Sequence, residues 1–532
     1  MSNFKTSTSL PFIFMLLTLL FITACAANRE PAVANSPQPV ASGTPEPVTA
    51  VAEPQTSTPS AATATTVPPT AEIETAAPID DAEAAELMQT IISGSASEVE
   101  QALIRIEAAQ DERFIPVLID AFRGWQLHLL RTTDADPIVA TLEALSGQAL
   151  SYHWPAWVEW YGNTELEPPP GFTDWKGKML VSIDPRFGEF LQDSHPSNLR
   201  PEEIQWGGVV VDGIPALDNP KMLPADKASY LEAGDAVFGL AINGEARAYP
   251  LRILDWHEMA NDVVGGVPVS VAYCTLCGAA IAYNGQASDG ETYTFGSSGF
   301  LYRSNKLMYD RQTRTLWNQL TGEPVLGELV NADITLDLLP VVLTTWQEWQ
   351  NQHPDTLVVD VETGFPRNYT AGAAYGNYFA DSGTMFPVAQ RSGLLAPKAQ
   401  IYALRVEGTP KAYPLQDLAD ERVVNDTIDA TNLVLVAANG LVQVEGDNQY
   451  VGEVTYQAGG EVRAYARADH SFSSAPTADE LLDDKGQSWQ VTEDALLGPN
   501  GETLSRLPGH LAYWFGWYAF FPDTQVYGRT NE

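Results

Sequence analysis

Residues 236–283 read AVFGLAINGEARAYPLRILDWHEMANDVVGGVPVSVAYCTLCGAAIAY, and the fold is organised around this stretch. Val267, Val269, Val271 and Tyr273 alternate with smaller residues, the period of a half-buried strand, and Gly278-Ala-Ala-Ile-Ala-Tyr283 reads as its return. Cys274-Thr-Leu-Cys277-Gly278 then falls at a hairpin tip. Such a turn puts two sulfurs on one side of a tight loop, and its glycine can take the positive φ that aims backbone amides at them. The geometry suits a metal knuckle or a small reducible disulfide.

Working outward, 532 residues are too many for one core, and the aromatic content (13 Trp, 20 Tyr, 19 Phe) is that of a packed globular protein. A net charge of -39 argues against a nucleic-acid partner, because phosphate binding needs a basic footprint that 29 Lys and Arg among 68 acidic residues do not supply. Leu10–Ile22 is an apolar run of signal-peptide length, too short to span a bilayer, ending in Ile22-Thr-Ala-Cys25. It resembles a bacterial lipobox, which implies lipid on Cys25, an extracytoplasmic address and anchorage to a membrane. Cys274 and Cys277 are then the only thiols, in an oxidising compartment.

Residues 1–24 read as a lipoprotein signal peptide, and 25–79, rich in Ala, Pro and Thr, as a disordered tether. Residues 80–165 carry helical periodicity (Leu103, Ile106; Ile115, Leu118, Ile119, Phe122) and resemble HEAT-type helical pairs, too few to stand alone and so expected to dock on the next domain. Pro168-Pro-Pro-Gly171 marks the boundary to a lead-in segment, 166–230. Beyond it lie a first β-rich lobe (231–394) and a second (395–532). The expected class is α+β, mainly β, with a duplicated two-lobe domain behind a small all-helical module.

The duplication is internal to the sequence. Ala248-Tyr-Pro-Leu251 recurs as Ala412-Tyr-Pro-Leu415 and Asn261-Asp262 as Asn425-Asp426, both 164 residues on; Trp346/Trp349 recur as Trp514/Trp517, 168 residues on. Shared anchors are most simply structural. The differences are where chemistry is to be sought: Glu421 stands opposite His257, Ala438 opposite Cys274, Leu441 opposite Cys277 and Phe521 opposite His353.

The run Trp256-His-Glu-Met-Ala-Asn-Asp-Val-Val-Gly-Gly266, then Tyr273-Cys-x-Leu-Cys-Gly278, Ser298-Gly-Phe-Leu-Tyr-Arg-Ser-Asn305, Met308-Tyr-Asp310, Thr315-Leu-Trp-Asn-Gln319 and His353-Pro354 resembles the family called domain of unknown function 3179. Usual members have Pro where this chain has Thr275. The resemblance implies a grouping and brings no reaction with it.

Three readings of the cysteine pair stay open. As a metal site, two thiolates with His257 and His353 suit zinc or copper, with Met308 and Met385 as candidate thioether partners for Cu(I). A second C-x-x-C, usual in a closed zinc knuckle, is lacking. As a redox pair, Cys274 and Cys277 would exchange with an envelope protein partner, although a strand rather than an activating helix follows Cys277. As a structural pair, they would pin the hairpin. Arg303, Asn305, Asp310, Arg311, Trp317 and Gln319 form a polar set able to bind an anionic or planar ligand, or to brace the β-domain by pairing. His257 and Asn261, at i and i+4, are expected on one helix face, orienting a ligand at the hairpin. A third class of function is a non-enzymatic envelope scaffold. No G-x-S-x-G, phosphate-binding loop, H-E-x-x-H or dinucleotide fingerprint is present.

Overall fold

A computed structural model describes residues 76–132 and 134–530, so the expected signal peptide, most of the tether and Cys25 lie outside the described residues. Among the described residues, no helix is long and apolar enough to cross a membrane.

Helices come first, then sheets. Asp80 caps the first helix (Asp81–Ser93) by accepting from Glu83 N at 2.9 Å, and Ser95 with Glu98 forms a capping box on the second (Ala96–Ala109), satisfying backbone donors that a helix start leaves free. Phe114–Gln126, Asp136–Ser146 and Trp154–Tyr161 come next as two further helices and a short one. The helical part does not stop at Pro168–Gly171. Phe172–Leu180 sends Phe172, Trp175 and Met179 into the same core, the Trp175 indole donates to Met88 O at 2.7 Å, and helix continues to Phe190. A proline-glycine break ends a helix, but it does not end a core when apolar spacing resumes behind it. This module meets the β-region through an apolar core, in which Phe187 and Phe190 pack on Phe300 and Tyr309, and through polar contacts: Gln390 Nε2 donates to Gly162 O at 2.8 Å, and Arg391 pairs with Glu159 at 2.6 Å.

In the first lobe, Ala236–Ile242 and Glu245–Pro250 form a hairpin flanked by Val342–Thr345, antiparallel, and Leu357–Val359, parallel. Leu251–His257 is a short helix that Pro250 leads into, succeeded by the meander Met259–Val264, Val267–Cys274, Ala279–Asn284. A second sheet holds Phe295–Tyr302, Asn305–Asp310, Leu316–Asn318 and Glu323–Leu326. The same ladder recurs: Gln400–Val406 and Thr409–Pro414 between Gly509–Tyr513, antiparallel, and Gln525–Val526, parallel.

The repeat extends to individual bonds. Tyr249 donates to Asp262 at 2.8 Å and Tyr413 to Asp426 at 2.7 Å. The Trp349 indole donates to Thr356 and the Trp517 indole to Thr524, each at 2.9 Å. Asn261 makes a two-way bond with the backbone of Phe295, and Asn425 does so with Phe472. These shared polar anchors satisfy groups that would otherwise be buried without partners.

The lobes differ where the tryptophan packs. A Cβ added at Gly239 would lie 2.3 Å from the Trp349 ring, whereas the matching position in the second lobe holds Ala403. Gly239→Ala is therefore expected to push Trp349 out of place and cost about 1–3 kcal/mol, as overpacking does, read as a lowered urea midpoint with unchanged slope.

Candidate functional site

Cys274 ends one strand, pairs with Ala279 at the start of the next, and is bonded to Cys277 in a disulfide. Gly278 has φ +59°, the left-handed conformation that glycine adopts without steric cost. Both sulfur residues are buried, Cys277 completely. The Cys277 amide donates to Cys274 Sγ at 3.3 Å.

Hydrogen bonds hold the tip from several directions. Tyr378 OH donates to Leu276 O at 2.6 Å, Tyr513 N donates to Cys277 O at 2.7 Å, and Thr275 Oγ1 donates to Glu258 Oε1 at 2.9 Å. Across the base of the hairpin, Gln319 Nε2 donates to Ala272 O at 2.9 Å and Ala279 O at 3.1 Å. From the second lobe, the short helix Trp514–Tyr518 lies so close that a Cβ on Gly516 would sit 2.8 Å from Cys277 Cβ.

One side remains open. Cys274, Thr275, Leu276, Glu258, Lys306, Tyr375 and Met385 line a cavity of about 60 Å³, with Phe300 and Phe386 among its apolar walls. Lys306, buried, donates to Glu258 Oε2 at 3.0 Å and to the Glu258 carbonyl at 3.4 Å. Removing one member of such a pair leaves an uncompensated buried charge, at about 3–5 kcal/mol. Glu258 reaches this position because the helix ends one residue earlier, and its own backbone turns left-handed with φ 54°.

That turn corrects one expectation. His257 and Asn261 do not share a helix face: the helix stops at His257, and Asn261 belongs to the strand Met259–Val264. His257 is fully buried, with Nδ1 2.8 Å from Pro215 O and Nε2 2.6 Å from Tyr369 OH, and burial pushes its imidazole below the ordinary histidine range. Both ring nitrogens are engaged away from the sulfurs. His353 packs at a tilt against Trp349, 4.1 Å between ring centres, and faces Glu493 at 3.8 Å, beside the ion pairs of Arg463 and Arg506 with Glu493.

The polar set divides. Asn305 and Gln319 stand at the cysteine tip, Asn305 donating to Gly516 O at 3.1 Å. The others are committed elsewhere: Arg303 to Glu203 at 2.9 Å and Ala519 O at 3.1 Å, Asp310 to the Trp317 indole at 2.9 Å and the Thr313 amide at 2.6 Å, and Arg311 to Asp218.

Lys306, Tyr375, Gly516 and Asp255 carry no motif that singles them out in the sequence, and Glu258 lies in the Trp256–Gly266 run without being singled out there. A usable signal lies in the 164-residue offset, which places Arg422 opposite Glu258 and Ala419 opposite Asp255. Asp255 is a buried carboxyl whose Oδ1 has no hydrogen-bond partner. Burial, then the nearby Glu258 charge, raises its proton affinity well above the ordinary carboxylate range. Its proton is therefore kept on folding at pH values where the unfolded chain has lost it, so stability is intact below the unfolded pKa and falls as pH rises, by about 1.4 kcal/mol per pH unit. Asp255→Asn is expected to raise the melting temperature more at pH 8 than at pH 5, with the difference vanishing near pH 3.5.

No curated protein and no solved structure matches this chain. The family model described as Protein of unknown function (DUF3179) matches residues 211–524, which contain the first ladder, the cysteine tip and most of the second ladder. With more than half of its length matched, the chain belongs to that family.

Proposed function

We propose that this protein is an extracytoplasmic, membrane-tethered thiol-disulfide protein whose Cys274–Cys277 bond is opened and re-formed by an envelope dithiol partner. The observation that carries this reading is the asymmetry of the two sulfurs: Cys274 lines the open cavity beside Lys306 and accepts the Cys277 amide at 3.3 Å, whereas Cys277 lies beneath Gly516. Both residues are buried, and Cys274 is the one of the two that lines the cavity, so the attack is assigned to it.

The chemistry balances as an exchange. A partner thiolate attacks Cys274 Sγ, the S–S bond breaks, and its electron pair leaves on Cys277, which takes a proton. The partner's second thiolate then attacks its own sulfur in the mixed disulfide, forming the partner disulfide and releasing Cys274 as a thiolate. The Cys277 amide, donating to Cys274 Sγ at 3.3 Å, favours a thiolate there in place of the missing helix N-terminus.

Single-cysteine variants separate the readings. With glutathione disulfide, Cys277→Ser is expected to form a mixed disulfide through Cys274 at least tenfold faster than Cys274→Ser does through Cys277, both in the folded protein as judged by near-UV circular dichroism. Equal rates, or no reaction before unfolding, would return the pair to a structural role. The tether rests on Ile22-Thr-Ala-Cys25: Cys25→Ser is expected to abolish fatty-acid labelling of the protein in a bacterial host and release it from membranes.

A further inference from the structure

On the side of the hairpin tip that the second lobe covers stands a buried oxygen with nothing to accept. Asn305 is 1% exposed, and its amide nitrogen donates to Arg303 O and to Gly516 O, each at 3.1 Å. Turning the amide round would set its oxygen against those two carbonyls, so the two bonds fix which way it points. Its Oδ1 is then left without a hydrogen-bond partner, a state that buried polar atoms seldom keep.

That oxygen faces Cys277. A Cβ on Gly516 would lie 2.8 Å from Cys277 Cβ and 2.9 Å from Asn305 Oδ1, so both stand around one point that the glycine leaves empty. Gln319 Oε1 is likewise without a partner, but its amide spans the base of the hairpin at Ala272 O and Ala279 O, and it is Asn305 that meets Cys277 across Gly516. In the disulfide, Cys277 has no hydrogen to give. As a thiol it gains one donor.

We propose that Asn305 Oδ1 accepts the Cys277 S–H in the reduced protein, which makes Asn305 a positioning residue that favours the open state of the pair; this rests on the exchange reading of Cys274 and Cys277. The partner dithiol gives up two electrons and two protons, and Cys277 carries one of those protons once its bond to Cys274 is broken. An oxygen left unsatisfied in the disulfide is satisfied in the dithiol, so reduction is favoured by the difference. The two bonds of the Asn305 nitrogen involve no sulfur and drop out of the comparison.

The test uses the full-length protein carrying Cys25→Ser, so that Cys274 and Cys277 are the only cysteines left. Equilibrated with glutathione at graded ratios of thiol to disulfide, the Asn305→Leu variant is expected to be about tenfold harder to reduce than its parent, a reduction potential lower by about 30 mV. Infrared spectroscopy reads the contact without any change at Asn305. In Cys274→Ser, Cys277 is the sole thiol, and its S–H stretching band is expected below the frequency of a thiol in hydrocarbon solvent, returning toward it when Asn305→Leu is added. Near-UV circular dichroism checks that each variant is folded, and should Asn305→Leu not fold, the band in Cys274→Ser decides. A band at the free-thiol frequency in folded Cys274→Ser, or equal potentials with and without Asn305→Leu, would overturn the role of Asn305 and leave the exchange reading intact. A disulfide that no ratio of glutathione opens in the folded protein would overturn the exchange reading, and the role of Asn305 with it.

Discussion

The backbone bond from Tyr513 N to the Cys277 carbonyl, 2.7 Å long, joins the two lobes at the one turn that holds sulfur. Everything else about the tip depends on that approach. For the strand Gly509–Tyr513 to come so near, Gly278 must lack a side chain, since a Cβ there would lie 3.1 Å from the Tyr513 ring, and the helix after the strand must present Gly516 to Cys277. A covalent loop of two cysteines needs no such cover for its own stability. The cover has a chemical effect: it excludes water and reagents from one sulfur and leaves the other facing a cavity.

Duplication explains how the second lobe came to serve as cover. Both lobes keep the ladder, the tyrosine-aspartate bond, the tryptophan-threonine bond and the asparagine bridge, all of which satisfy buried polar groups. The first lobe carries further groups around its hairpin. Where it has Asp255, Glu258 and Cys274, the second has Ala419, Arg422 and Ala438. An unpartnered buried carboxyl costs stability, and the repeat has alanine at the matching position, so the lobes differ in a buried group that packing does not require.

Legibility in the sequence followed the range of the interactions. The hairpin around Cys274 and Cys277 and the repeat were readable because strand alternation and register are local or periodic signals. The partners of Arg303 and Arg311 were not, because Glu203 and Asp218 are distant in the chain and only tertiary packing decides between a ligand and an ion pair. His257 drew attention as a soft ligand, but a left-handed residue one position later turned the chain and gave the cavity Glu258 instead; no periodicity announces a left-handed glutamate. The helical module ran past its apparent boundary for a related reason: Trp175 finds Met88 O in a core that the Pro-Gly break cannot reveal.

The buried charges sort into two kinds, and the distinction bears on which of them act. Arg463, with Glu461 and Glu493, is enclosed where the lobes meet, and Glu461 also accepts from Thr344 at 2.5 Å and Gln352 at 2.9 Å, both of the first lobe. Every member there has protein partners, and the Arg463 charge holds the Glu493 carboxylate well below its usual range. Such a saturated network fixes how two lobes register, since any slip would strand a charge. The Lys306 and Glu258 pair is different because it borders a cavity instead of closing one. The Lys306 ammonium is held by the Glu258 carboxylate, so the pair meets the cavity that Cys274 also lines as one neutral unit and not as a free charge.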